Sequence, residues 1–262
     1  MIKNIKSLLF VPAKDKMLAK IPSMNADVYI IDLEDSIPEE EKEEALNRVS
    51  AYIERLTSAS NIIVRINSNH AERELAKLAK YNEIGFMLPK FEKTNPYDKL
   101  TEYLQSHYTI ALIESPTAIV ELQAICRTEY VNALAFGAED YTAKVNMENN
   151  VDYLLFQKSM LVTYSKANDL QVFDTPSFKL NDEAEFEREV KNAMSLGFDG
   201  KMAISPKHVQ FINETFNSND LEYIKSVISR YEADGSAVVV IDGNVYEKMH
   251  INRFKRIIKE NS

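Results

Sequence analysis

Eight short runs of β-branched and apolar residues recur along this chain, each followed by a stretch with helical patterning, and that alternation restricts the fold more than any other feature. The runs cover 7–11, 27–32, 61–66, 84–89, 108–113, 131–136, 170–174 and 200–205. Parallel strands need long crossovers, and helices supply them, so the alternation predicts a parallel sheet with right-handed connections. Eight repeats in a chain of 262 residues predict closure into a (β/α)₈ barrel rather than an open sheet. Residues 1–210 are assigned to that barrel. Residues 211–262 are assigned to an appended segment with a helix over 221–231, an apolar run at 237–241, a turn at Asp242-Gly243-Asn244 and a last amphipathic helix. The segment is expected to pack on the barrel, across its mouth or against a neighbouring subunit.

Helix boundaries are marked in several places. Ser36 with Glu39 three residues later has the form of a capping box and predicts a helix over 38–56. Ser115 before Pro116 predicts an N-cap with proline at the first helical position. Asp182 with Glu185 predicts a helix that Gly197 ends.

Composition narrows the classes of function. The net charge is −9 with acidic and basic residues interleaved, which argues against a nucleic-acid partner. The longest apolar run, Ala237 to Ile241, is far short of the roughly 20 residues that span a bilayer. A cytoplasmic protein is expected. The single cysteine, Cys126, excludes internal disulfides and is expected to be a buried thiol. His70, His107, His208 and His250 are scattered without ligand spacing.

In a barrel of this type the reactive groups gather where the strands end, because eight loops there surround one pocket. Polar residues do follow the apolar runs: Asp32 to Asp35, Arg65 with Asn67, Lys90 with Glu92, Glu114 with Ser115, Gly137 to Asp140, and Asp174. So many carboxylates around one pocket would repel an anionic substrate unless a cation neutralised them. Oxygen donors suit a hard ion, and Mg²⁺ commonly takes one or two carboxylates with water and substrate oxygens completing its octahedron. Glu114 and Asp140 follow adjacent strands and are expected to hold it. Gly137 and Ala138, in the same loop as Asp140, are candidate substrate contacts. The guanidinium of Arg65 is suited to grip a substrate carboxylate at two points, or else closes the barrel top by pairing with Glu34 or Asp35.

These residues, taken in order, resemble a known family. Ser7 to Pro12, Ala26-Asp27 through Asp32 to Asp35, Val64 to Asn67, Leu88 to Lys90 with Glu92, Leu112 to Glu114, Phe136-Gly137 with Asp140, and Gly200-Lys201 are similar to the HpcH/HpaI aldolase and citrate lyase beta-subunit family. The resemblance runs from residue 7 to about 206. It implies a barrel assembled as a homotrimer or hexamer, magnesium on Glu114 and Asp140, and Arg65 on the substrate carboxylate. It also implies cleavage of a malyl-, citramalyl- or citryl-type thioester, with CoA as a possible carrier, into a 2-oxo acid and an acetyl-type thioester. Glu34 and Asp35 are the resulting candidates for proton transfer. A tail carboxylate from a neighbouring subunit is a further one, and its matching position is Glu247, after Gly243.

Several positions depart from the family pattern. Ala13-Lys14 replaces a glycine followed by basic residues, Ser205 replaces a histidine, Lys158 stands for an arginine, and Glu247 for an aspartate. Two alternatives therefore stay open: an aldolase acting on 2-oxo acids without CoA, and a carrier-dependent or non-catalytic subunit. The apolar face of the last helix (Met249, Phe254, Ile257, Ile258) is expected to be core or a subunit interface.

Overall fold

In the computed structural model, which describes residues 4–56, 61–217 and 221–260, the eight runs form parallel strands. They are β1 Ser7–Pro12, β2 Val28–Asp32, β3 Ile62–Arg65, β4 Gly85–Leu88, β5 Thr109–Ile113, β6 Ala133–Phe136, β7 Gln171–Asp174 and β8 Gly200–Ala203. Each pairs with the next, and β8 returns to β1 with Ser7 opposite Lys201, so the expected closed barrel forms in sequence order. Helices cover its outside, which is why strand residues are buried on both faces and read as continuous apolar runs. Inward-pointing Leu8, Ile30, Ile63, Met87, Ile110, Leu112, Phe173 and Met202 fill the interior, leaving a packed core rather than a pore.

Some helix starts differ from expectation. Ser115 and Asp182 do cap, accepting from the backbone N–H of Ala118 and Glu185. The Ser36 capping box does not form. Ser36 is taken up by the strand end instead, its N–H reaching the Asp32 carboxylate at 3.1 Å and its hydroxyl the Asp32 carbonyl at 3.3 Å. The helix then starts only at Lys42–Glu54, after a 3₁₀ turn over Glu39–Glu41. The segment after Ser115 is two short helices, Pro116–Val120 and Leu122–Ile125, rather than one.

The chain forms two compact units, Met1–Thr215 and Phe216–Ser262. In the second, helices Leu221–Asp234 and Lys248–Glu260 flank a hairpin of β9 Val238–Ile241 and β10 Asn244–Glu247. Asp242 and Gly243 join the strands with positive φ at both positions, the turn whose twist matches antiparallel strands. Ile224, Val227, Ile228, Ile241, Tyr246 and Ile251 form this unit's own core. Phe254, Ile257 and Ile258 pack against it, whereas Met249 is exposed. Among the described residues no helix is long and apolar enough to cross a membrane.

Gly200 sits where β8 closes onto the chain entering β1. A Cβ there would lie 2.4 Å from the Lys6 carbonyl oxygen and 2.9 Å from that of Ile5, both backbone atoms. Gly200→Ala is expected to destabilise the fold by about 3 kcal/mol in urea unfolding, whereas Val120→Ala, at an exposed position, changes it by less than about 0.5 kcal/mol.

Candidate active site

A cavity of about 500 Å³ opens at the carboxyl ends of the strands. Glu114 follows β5 directly and is 2 % exposed, so its carboxylate is carried inward by the strand. Its Oε1 accepts the Lys90 N–H at 2.6 Å. Lys90 adopts a left-handed backbone with φ of 53°, which turns that N–H toward Glu114. Asp140 lies in the first turn of the helix Ala138–Val145, on the loop that leaves β6 next door. Its carboxylate lines the same cavity as Glu114, near enough for its charge to act on the Glu114 carboxyl.

Gly137 explains how the two fit together. A Cβ at that position would stand 2.7 Å from the Glu114 Cβ and 2.8 Å from its Oε2, so only glycine leaves room for the glutamate. The pairing is electrostatically costly. Burial, with the charges of Asp140 and Glu34, pushes the Glu114 carboxyl up to about 8. Two facing carboxylates with so strained a charge state form a donor set for a hard cation. Among the described residues no group of three or more His, Cys, Asp or Glu side chains has metal-holding geometry. A metal here would take two protein carboxylates, which fits Mg²⁺ completed by water and substrate oxygens.

Arg65 ends β3 opposite Asp32 of β2 in the strand register. Its Nε and Nη2 grip the two Asp32 oxygens at 2.7 and 2.9 Å, and its Nη1 lies 3.1 Å from Asp35 and 3.4 Å from Glu34. The Phe10 ring packs against the guanidinium, 5.0 Å from its centre. Burial opposes ionisation of Asp32, but the hydrogen bonds and charge of Arg65 hold its carboxyl below the ordinary range. Asp35 lines the cavity. Glu34 does not: it is buried behind the wall, 3.0 Å from the Lys90 ammonium, and burial raises its pKa. Lys42 fixes this segment by donating to the carbonyls of Leu33 and Glu34.

Arg65, Asp35, Glu114, Gly137, Ala138 and Asp140 thus line one cavity, and Glu34 stands behind it. Glu247 belongs to the second unit, at the end of β10, where its N–H donates to His250 Nδ1. Among the described residues no histidine lines the cavity. His107 and His208 are buried and His70 pairs with Glu39. Cys126 is buried, and burial alone pushes its thiol up to about 11, so it is not a nucleophile.

Sequence reasoning missed two features. Asp32, rather than Glu34 or Asp35, is the main partner of Arg65. A second buried charge cluster holds the exit of β7: Asp174 takes Lys158 at 2.9 Å and Lys201 at 2.8 Å, and Lys201 also donates to the Thr175 carbonyl at 2.6 Å. The Thr175 hydroxyl in turn accepts the Ala138 N–H at 3.3 Å, which ties the start of the Asp140 helix to β7. The signal was present in the sequence. A lysine inside the run 200–205 requires a buried anion, and Asp174 is its register partner on β7.

Two outcomes follow from this geometry. Below about pH 8 a cation must displace a proton from Glu114, so Mg²⁺ affinity should rise with pH, approaching tenfold per unit, and level off above it. Calorimetric titration from pH 6 to 9 measures this. Gly137→Ala should fold yet bind Mg²⁺ at least about tenfold more weakly, because the added methyl displaces Glu114.

The model of the HpcH/HpaI aldolase/citrate lyase family matches residues 6–206. Citrate lyase subunit beta of Haemophilus influenzae is 27 % identical over 282 residues, covering 98 % of this chain and 97 % of that protein. The mitochondrial citramalyl-CoA lyase of Rattus norvegicus is 28 % identical, covering 80 % and 71 %. The citrate lyase beta subunit of M. tuberculosis, solved with oxaloacetate and magnesium, superposes with a TM-score of 0.71 at 25 % identity, covering 82 % and 98 %. The chain therefore belongs to the HpcH/HpaI aldolase/citrate lyase family of oxo-acid lyases.

Proposed function

We propose that this protein is a Mg²⁺-dependent carbon-carbon lyase. It cleaves a 3-hydroxy-3-carboxy acyl thioester into a 2-oxo acid and an acetyl-type thioester. The observation that carries this reading is the facing pair Glu114 and Asp140, set in one cavity with Arg65. The M. tuberculosis relative solved with magnesium and a 2-oxo acid supports it.

Arg65 binds the substrate carboxylate. Asp32 occupies its Nε–Nη2 edge, so the Nη1–Nη2 edge remains to form a two-point pair, with exposed Asp35 giving way. Asp32 and Phe10 fix the plane of the guanidinium, which sets the orientation of the bound acid. Magnesium on Glu114 and Asp140 would supply Lewis-acid polarisation of the substrate's hydroxyl oxygen as it becomes a carbonyl. Gly137 and Ala138, which line the same cavity, contact the substrate by packing against it, since their N–H groups donate to the Ile113 carbonyl and the Thr175 hydroxyl.

Bond breaking leaves an electron pair on the carbon next to the thioester, and that carbon then takes a proton. Asp35, in the cavity wall, is the group that removes the hydroxyl proton. The proton that Asp35 takes is then available to the new carbanion, and Glu34, behind it in contact with Arg65 and Lys90 with its pKa raised by burial, is the second carboxyl for that exchange. Glu247 of another copy is the alternative donor to the new carbanion. Glu247→Gln tests it: if it is the donor, turnover falls about 100-fold or more while Mg²⁺ binding is unchanged.

The purified protein with Mg²⁺ should release a 2-oxo acid from malyl-CoA, citramalyl-CoA or citryl-CoA rather than from free 4-hydroxy-2-oxo acids. Glu114→Ala or Asp140→Ala should lower release by about 1,000-fold or more. Arg65→Lys should cost roughly 100-fold in kcat/KM, since an ammonium cannot make the two-point pair. Undiminished release after chelation would refute the metal mechanism, and turnover of free acids alone would identify a CoA-independent aldolase.

A further inference from the structure

The lyase reading leaves the 2-oxo acid open, and the lining of the cavity bears on it. One wall is polar, with Asp32, Asp35, Glu114, Glu139 and Asp140. Arg65 is the one basic side chain among the described residues that line the cavity. The neighbouring Lys90 is committed to Glu34 and does not reach the lining, and Lys201 is wholly buried against Asp174. Apart from the hydroxyls of Ser36 and Thr175, the rest of the surface is mainly hydrocarbon, chiefly Phe10, Leu112, Met202, Ile204 and Phe178. Phe10, Leu112 and Met202 continue directly into the apolar interior of the barrel.

The carbon that carries the hydroxyl has four substituents, and on the proposed reading three are assigned. Its carboxylate lies on Arg65 and its hydroxyl faces the Glu114 and Asp140 side. The thioester arm, attached to a carrier outside, must leave through the mouth. Leu112 of β5 is two residues before Glu114, which directly follows the strand, so both point inward on one side. The fourth substituent is therefore left with the hydrocarbon floor beside Arg65. A carboxymethyl group there would bury a second carboxylate with no second basic side chain in the lining to pair with and five carboxylates around the same cavity, which is strongly unfavourable.

We infer that Phe10, Leu112, Met202 and Ile204 form a specificity wall, and that the substrate carries an alkyl group where a citryl substrate carries carboxymethyl. The 2-oxo acid released is then monocarboxylic, of the pyruvate or 2-oxobutyrate class. This inference rests on the proposed lyase reading but is separable from it by experiment.

Binding of pyruvate, 2-oxobutyrate and oxaloacetate to the purified protein with saturating Mg²⁺ is measured by calorimetry. In parallel, cleavage of citramalyl-CoA and citryl-CoA is compared. The expected result is binding of the two monocarboxylic acids about 100-fold tighter than oxaloacetate, with the same order in kcat/KM. Ile204→Lys places an ammonium on the wall at a half-buried position and should shift the preference toward oxaloacetate at least about tenfold. Oxaloacetate bound as tightly as 2-oxobutyrate, or an unchanged ratio in Ile204→Lys, overturns the wall while leaving the lyase reading intact. Failure to bind any 2-oxo acid with Mg²⁺ overturns both.

Discussion

Two carboxylates held against each other at the end of a barrel are the constraint around which the rim is built. Glu114 is almost wholly buried and Asp140 faces it, an arrangement whose repulsion no apolar neighbour relieves. Local structure is spent to keep it. Gly137 gives up its side chain so that Glu114 can pass, and Lys90 takes a left-handed backbone so that its N–H meets Oε1. The Thr175 hydroxyl anchors the helix that bears Asp140. None of these features adds apolar burial, which sets them apart from the packing that stabilises the barrel below.

The strand register distributes the other charges. Asp32 and Arg65 are register partners on β2 and β3, and Asp174 and Lys201 on β7 and β8. Each pair buries an ion pair between adjacent parallel strands, at the ends of both β2 and β3 in the first case and between the end of β7 and the start of β8 in the second, where register partners project the same way. Such pairs add little net stability. They fix orientation: one sets the plane of a guanidinium in the cavity wall, and the other sets the path of the chain leaving β7.

Much of this was legible in the sequence because a parallel barrel leaves a strong trace. Strands buried on both faces read as short apolar runs, and the residues after them read as the rim, so Glu114, Asp140 and Arg65 could be named without coordinates. Three things were not legible. Ser36 looked like a helix cap because its spacing to Glu39 is right, but Asp32, four residues earlier, competes for the same hydroxyl. The partner of Arg65 was sought after β2 rather than in its last residue, since strand ends were treated as belonging to the loop. β10 was absorbed into a loop because Asn244–Glu247 alternates without strong hydrophobicity, although Asp242-Gly243 after an apolar run marks a hairpin.

The grip of Asp32 on one edge of Arg65 has a geometric corollary. A guanidinium free to swing would accept a carboxylate from many directions, whereas one clamped on a side edge and seated on the Phe10 ring offers a single plane of approach. With the Glu114 and Asp140 pair and the hydrocarbon floor as second and third fixed points, the cavity is handed. On the proposed mechanism, mirror-image substrates would present their substituents to it in opposite order, and only one enantiomer could satisfy all three contacts at once.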